Sequence, residues 1–171
     1  VGAMVGRKQG NLLLDIFRRE VLVELPNAVL WLVCDEPVEG EGVQWFGRAS
    51  AALLSQLYRR AWVFCLPSSY EGFGVPYIEA MASGTAVVAT PNRGALEVLQ
   101  NGTSGIVCDE DRLGKKLIQV LRDSRLRTFL EQKGLSRARA FGWDRVCKSY
   151  EELYRGGAGR MAVNEMTGVA A

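Results

Sequence analysis

Between Ala61 and Thr90 the chain reads AWVFCLPSSYEGFGVPYIEAMASGTAVVAT, and this stretch leaves few folds open. Ala61 to Leu66 is a continuous apolar run, as expected of a parallel strand buried on both faces. Pro67 stops it, and Ser68 to Gly74 form a loop with two glycines. Pro76 fits the first turn of a helix, where its missing N–H costs nothing, and Gly84 fits the position just past the helix end. Thr85 to Thr90 is the next buried strand. The unit is β-loop-α-β, with its loop at the carboxyl edge of a strand and the amino end of a helix. Ligands of open α/β sheets bind at that edge, and helix amino termini favour anions.

Two carboxylates bracket the loop and helix: Glu71 on the loop and Glu79 about one turn inside the helix. Carboxylates repel phosphate, so beside an anion site they suit neutral hydroxyl donors. The backbone N–H groups of Gly72, Phe73 and Gly74, with Val75 next in line, would face a phosphate. A ligand with phosphates in the middle and hydroxyl-rich groups at both ends is a nucleotide sugar. The plainer alternative is an acidic solvated loop followed by a helix-capping glutamate.

Glu71-Gly72-Phe73-Gly74, then Glu79-Ala80-Met81-Ala82-Ser83-Gly84, resembles the retaining, metal-independent glycosyltransferases of the GT-B fold, family 4 type, which carry Glu, seven residues, then Glu. The resemblance implies that Glu71 approaches the donor-sugar hydroxyls and Glu79 the ribose hydroxyls. It extends to the opening of the chain. There Gly2 and Lys8 match the family's Gly-Arg-Leu, three variable residues and Lys, and Lys8 would meet the donor diphosphate. Ala3 stands where the family has Arg, and Gln9 where Gly usually follows the Lys. Either the phosphate clamp is weakened here or Arg7 substitutes from another backbone position; the plainer alternative is that Arg7 and Lys8 are both solvated loop charges. The strand Ala28–Cys34 ends in Cys34-Asp35-Glu36-Pro37 where the family usually has Gly-x-Gly. Gly47 and Arg48, after the short strand Val43–Phe46, resemble the loop beside the nucleotide base; an exposed arginine without a role reads equally well. Arg93-Gly94-Ala95-Leu96-Glu97 resembles the family's Gly-Gly-x-x-Glu without its first glycine, and Glu97 is either a donor neighbour or a helix-surface charge.

The rest of the chain alternates strands and helices, which makes it α/β, a doubly wound Rossmann-like domain with a mostly parallel sheet, one half of a GT-B fold. Val1–Val5 reads as a strand end and Asn11–Leu25 as a half-buried helix. A helix capped by Ser50 carries Leu53, Leu54, Leu57 and Tyr58. A short helix spans Ala95–Leu99, Ser104–Cys108 is a last strand, and Asp109–Arg122 and Leu126–Arg139 are amphipathic helices. A final helix from Trp143 to Tyr154 has Trp143, Val146, Cys147, Tyr150 and Tyr154 at helical spacing, read as core packing. Residues 1–155 form the nucleotide-sugar-binding domain, and 156–171, Gly/Ala-rich without period, a flexible tail.

With 171 residues, 48% hydrophobic and 23% charged, the chain has the size and apolar content of one globular domain. A net charge of +2 gives no argument for nucleic acid. No apolar run reaches the roughly 18 residues a membrane span needs. The start at Val1, already inside a strand, suggests that an upstream acceptor-binding domain is missing. Cys34, Cys65, Cys108 and Cys147 lack metal spacing and the chain has no histidine, so they read as buried reduced thiols of a cytoplasmic protein. The full-length protein could also lie peripherally at the inner face of the membrane.

The function implied is retaining transfer of a glycosyl group from a UDP- or GDP-sugar to an acceptor hydroxyl, on a glycan or lipid-linked partner. The isolated domain is expected to be inactive. No cofactor and no metal are expected, on the reading that no Asp-x-Asp triplet is present to hold Mg²⁺ beside the phosphates. One alternative is a catalytically inactive nucleotide-sugar-binding module. An NAD-dependent oxidoreductase fits poorly, because Tyr77 stands at the third glycine of its fingerprint.

Overall fold

The structure, a computed structural model, describes residues 1–166, with side chains through Arg155. The chain divides into two compact units, Val1–Ala138 and Arg139 onward. The first unit opens with a 3-10 turn, Gly6–Lys8, and a helix in three parts: α1 (Gly10–Ile16), a π turn (Phe17–Val21) and α2 (Leu22–Glu24). Then follow β1 (Leu30–Leu32), β2 (Val43–Trp45), α3 (Ala51–Arg60), β3 (Val63–Leu66), α4 (Val75–Ala82), β4 (Ala86–Ala89), α5 (Arg93–Val98), β5 (Ile106–Val107), α6 (Glu110–Arg122) and α7 (Ser124–Ala138).

Every ladder among the described residues is parallel. β1 pairs with β2, Leu30 opposite Val43 and Leu32 opposite Trp45. β3, β4 and β5 form a second ladder with β4 at its centre, Val63 opposite Ala86 and Val88 opposite Ile106. The buried strand expected over Thr85–Thr90 is realised in β4, where Ala86, Val87, Val88 and Ala89 are all closed to solvent, as are the flanking Thr85 and Thr90. β3 instead alternates, with Phe64 and Leu66 buried and Val63 and Cys65 only partly covered. The main core joins Leu13, Ile16, Phe17 and Val21 of the first helix to Ala86 and Val88 of β4 and to Leu113, Leu117 and Val120 of α6. At about 25 cal/mol per Å² of apolar surface, each of these side chains larger than alanine contributes roughly 2 kcal/mol of burial.

Several expectations need correction. Val1–Val5 is not a strand: its recorded tie to β1's end is one hydrogen bond, from Gly2 N to Val33 O (3.0 Å), too little to propagate a ladder. The last strand shrinks to two residues. Of the four free cysteines only Cys34 is buried; Cys65 and Cys108 are half-buried and Cys147 is exposed.

The second unit holds a 3-10 turn, Arg139–Phe141, and α8 (Trp143–Met166). Its stripe is not core: Trp143, Tyr150 and Tyr154 are exposed, because one helix and a turn supply no second layer of their own. The backbone of α8 also continues to Met166, so 156–166 is helical where the sequence suggests an aperiodic tail. Helix propagation needs no amphipathic period once a turn exists. Residues 167–171 of that tail lie outside the described residues.

Candidate active site

The central unit folds as its punctuation dictates. Gly74 caps α4 in the left-handed region (φ 86°), and Pro76 sits in the first turn. A Cβ on Gly74 would meet Tyr77 Cδ2 at 2.7 Å, so conformation and space both demand glycine. At the other end Gly84 (φ 79°) closes the helix: its N–H donates to Met81 O and the Thr85 N–H to Ala80 O, both at 3.0 Å. These two bonds are the Schellman pattern.

Glu71 lies on the loop before α4 and is buried, at 5% exposure. Two cations reach it from the 3-10 turn near the start of the chain. Lys8 Nζ is 2.6 Å from Oε1, and Arg7 Nη1 donates to the same oxygen at 3.0 Å. Arg7 Nη1 also donates to Tyr70 O (3.1 Å), while Arg7 O accepts from Ser69 N (2.9 Å). Residues 7 and 69–71 are thus stitched through side chain and backbone together. Burial pushes the Glu71 carboxyl up, but the hydrogen bond from Lys8 and the positive charges of Lys8 and Arg7 outweigh it, and the group is held below the usual carboxylate range.

Gly2 backs this arrangement: with φ 132° and no side chain, it leaves room for the Lys8 stem, whose Cγ and Cδ would lie 3.2 Å from a Cβ there. Gln9, where the family has glycine, does adopt the left-handed conformation (φ 51°), and its Nε2 donates to Glu110 Oε1 (3.2 Å). Gly94 closes the loop from the other side. Its N–H donates to Glu71 O (3.2 Å), and a Cβ would fall 2.9 Å from both Glu71 Cβ and O. Gly72, Phe73 and Val75 are exposed at the rim.

Glu79 is exposed on α4. Among the described residues its side chain has one recorded hydrogen bond, from Tyr58 Oη to Oε2 at 3.3 Å. Arg48 does not join the glutamates. It is held by Asp35 through Nε–Oδ1 (2.6 Å) and Nη2–Oδ2 (2.8 Å), and the hydrogen bond from Arg48 draws the Asp35 carboxyl below its ordinary value. This fork, together with Trp45 Nε1 donating to Cys34 O (2.9 Å), stands at the ends of β1 and β2, where the family's Gly-x-Gly is absent. Glu97 is exposed; Arg137 Nη2 donates to its carbonyl at 2.9 Å and lies 3.8 Å from its carboxylate. One Asp-x-Asp triplet does occur away from the glycine loop, Asp109-Glu110-Asp111, as N-cap and first turn of α6. Acidic residues there oppose the positive end of the helix dipole.

Two supporting residues escape the sequence reading. Asn92 caps α5, accepting from Ala95 N (2.9 Å). Its Nδ2 points to Ser68 O (3.0 Å), Thr90 O (3.1 Å) and Tyr77 Oη (3.2 Å). The cap explains why α5 starts at Arg93 rather than Ala95, and an Asn three places before Ala95 was the signal for it. Tyr58 was read as one of α3's apolar residues; its buried hydroxyl, which needs a partner, was the missed cue.

Residues 39–137, more than half of the chain, match the family model described as glycosyl transferases group 1. The chain is 33% identical over 130 residues to the O-antigen chain mannosyltransferase B of Escherichia coli, an alignment covering 74% of this chain and 34% of that protein. Among solved structures it resembles sucrose-phosphate synthase from Thermosynechococcus elongatus (TM-score 0.75, 25% identity, 93% of this chain and 45% of that one). It also resembles the C-terminal domain of a glycosyl transferase group 1 family protein from Francisella tularensis (TM-score 0.72, 20% identity, 82% of each chain). The chain thus spans about a third of the mannosyltransferase it matches. From the match along its own length, and from a Rossmann-like parallel fold shared with GT-B enzymes, this chain belongs to the glycosyl transferases group 1 family.

Proposed function

We propose that the domain binds a nucleotide diphosphate sugar and, in the whole protein, serves retaining transfer of its glycosyl group to an acceptor hydroxyl. The observation that carries this reading is the 2.6 Å contact of Lys8 Nζ with Glu71 Oε1, on the loop that feeds the amino end of α4. A cation and a carboxylate at one helix N-terminus have complementary uses. The cation and the loop amides take the diphosphate, and the carboxylate takes sugar hydroxyls.

The barrier in such a transfer is departure of the diphosphate from an oxocarbenium-like carbon. Lys8, with the amides of Gly72 to Gly74, stabilises the charge growing on the leaving group, and Glu71 orients the sugar without attacking it. Glu79 takes the ribose hydroxyls. No metal ion is assigned a role. Arg7, tied to Tyr70 O and Glu71, keeps the carboxylate in place when Lys8 turns to phosphate. The acceptor, a glycan or a lipid-linked sugar, binds a further domain, so that this domain alone binds donor without transferring it.

Isothermal titration with UDP- and GDP-sugars tests the reading. A Kd below the millimolar range for one of them, weakened by Glu79→Gln for nucleotide and sugar nucleotide alike and by Glu71→Gln for the sugar nucleotide alone, is the expected pattern. Equal losses in both variants, or no binding, refute it.

A further inference from the structure

Glu79 is exposed, and an exposed glutamate on a helix samples several rotamers, each of which a bound ribose would have to select against. Tyr58 removes part of that freedom. It sits on the last turn of α3, is 4% exposed, and its ring meets Phe64 edge-on at 5.4 Å and 78°. Its carbonyl accepts from Thr85 Oγ1 at 2.5 Å, which ties the end of α3 to the turn after α4. From this fixed base the phenol hydroxyl donates to Glu79 Oε2 at 3.3 Å. One phenol proton occupies one of the roughly four lone-pair sites of a carboxylate, so acceptor capacity remains on Glu79. Burial, then the nearby Glu79 charge, pushes the Tyr58 hydroxyl well above its ordinary value, so it stays a donor at every physiological pH.

We propose that Tyr58 is a positioning residue for the nucleoside end of the donor: it holds one oxygen of Glu79 so that the carboxylate is already oriented for the vicinal ribose hydroxyls. The inference rests on the reading of Glu79 as the ribose ligand. It assigns a role to a residue of α3, outside the glycine loop and α4, and it makes the preference for ribose over deoxyribose depend on a side chain that acts through Glu79.

The test is titration calorimetry of the 171-residue chain with UDP and GDP and with their 2′,3′-dideoxy counterparts, on wild type, Tyr58→Phe, Glu79→Gln and the double variant. Phenylalanine keeps the ring contact with Phe64, and circular dichroism checks the fold. Loss of one oriented hydrogen bond predicts a roughly fivefold weaker Kd for the ribonucleotide in Tyr58→Phe. The dideoxy ligand should bind both proteins alike, and Tyr58→Phe should add less than about twofold in the Glu79→Gln background. Equal loss for ribo and dideoxy ligands would make Tyr58 merely structural and overturn the proposal. Ribonucleotide binding that responds to Glu79→Gln but not to Tyr58→Phe overturns the role of Tyr58 and leaves the donor-site reading standing. Absence of binding by any nucleoside diphosphate removes both.

Discussion

Replacing Asn92 by alanine probes how the loop carrying Glu71 is held. Asn92 Oδ1 caps α5, and loss of such a cap costs about 1 kcal/mol. Nδ2 faces three acceptors, Ser68 O, Thr90 O and Tyr77 Oη, but an amide has two hydrogens, so about two full bonds are lost at roughly 1 kcal/mol each. Part of the damage is buffered: Ser68 O keeps the Thr90 hydroxyl at 2.9 Å, and Tyr77 Oη keeps its contact with Leu66 O at 3.4 Å. The expected loss is therefore about 3 kcal/mol, out of the roughly 5–15 that a domain possesses. At roughly 3 °C per kcal/mol for a chain of this size, Tm should fall by about 9 °C. Two further variants divide the loss. Asn92→Ser restores a capping oxygen and should recover about 1 kcal/mol. Asn92→Asp keeps the cap but aims a carboxylate at two carbonyl oxygens in a buried place, and should be at least as damaging as alanine. Urea denaturation with an unchanged slope gives these differences directly. A loss below about 1 kcal/mol for alanine, or a neutral aspartate variant, would mean that Asn92 does not organise this corner of the fold.

Other consequences follow from the same geometry. Gly74→Ala should destabilise by about 2–5 kcal/mol in urea melts, from left-handed strain plus overlap with the buried Tyr77 ring; a change under 1 kcal/mol would contradict the steric argument. Because the folded-state pKa of Glu71 is depressed, its ionisation stabilises the fold above the unfolded value of about 4.3 and that stabilisation is lost as pH falls through the lower folded value. The Tm difference between wild type and Glu71→Gln should thus be flat from pH 8 to about 5 and narrow below about pH 4; a gap that widens in acid reverses the sign and refutes the assignment. In the whole enzyme Lys8→Ala should cost on the order of a hundredfold in transfer rate, as loss of a donor aimed at developing charge does, and an unchanged rate would remove Lys8 from the chemistry. Arg48→Ala should leave Tm nearly unchanged, since exposed ion pairs contribute little; a large fall would make its fork with Asp35 structural.

Much of the central unit was legible because its signals are local. Pro76 fixes the first turn of α4, Gly84 accepts the left-handed angle that ends it, and the apolar letters of β4 report burial on both faces. Ser50 announced the start of α3 and indeed accepts from Leu53 N. Where a segment depends on neighbours, the letters misled. Val1–Val5 has strand-like letters but pairs in no ladder among the described residues, and the aromatic stripe of α8 looks like core yet is exposed. Asn92 drew no reading and Tyr58 looked like part of an apolar helix face, because their partners lie on other elements.

The residue types at the loop and its flanking elements were set by sequence alone: two glutamates, a lysine near the start, glycines where backbone must turn or approach, and strands apolar enough to be parallel and buried. What tertiary structure decided is which of them meet. Arg7 and Glu71 are 64 positions apart, and nothing in either segment requires that Arg7 join Lys8 on one carboxylate oxygen while Arg48 turns away to Asp35. Short-range conformation is written in φ/ψ preference and side-chain period, which a few neighbouring residues carry. Charge pairing across the sheet edge depends on distances that exist only once the helices have packed.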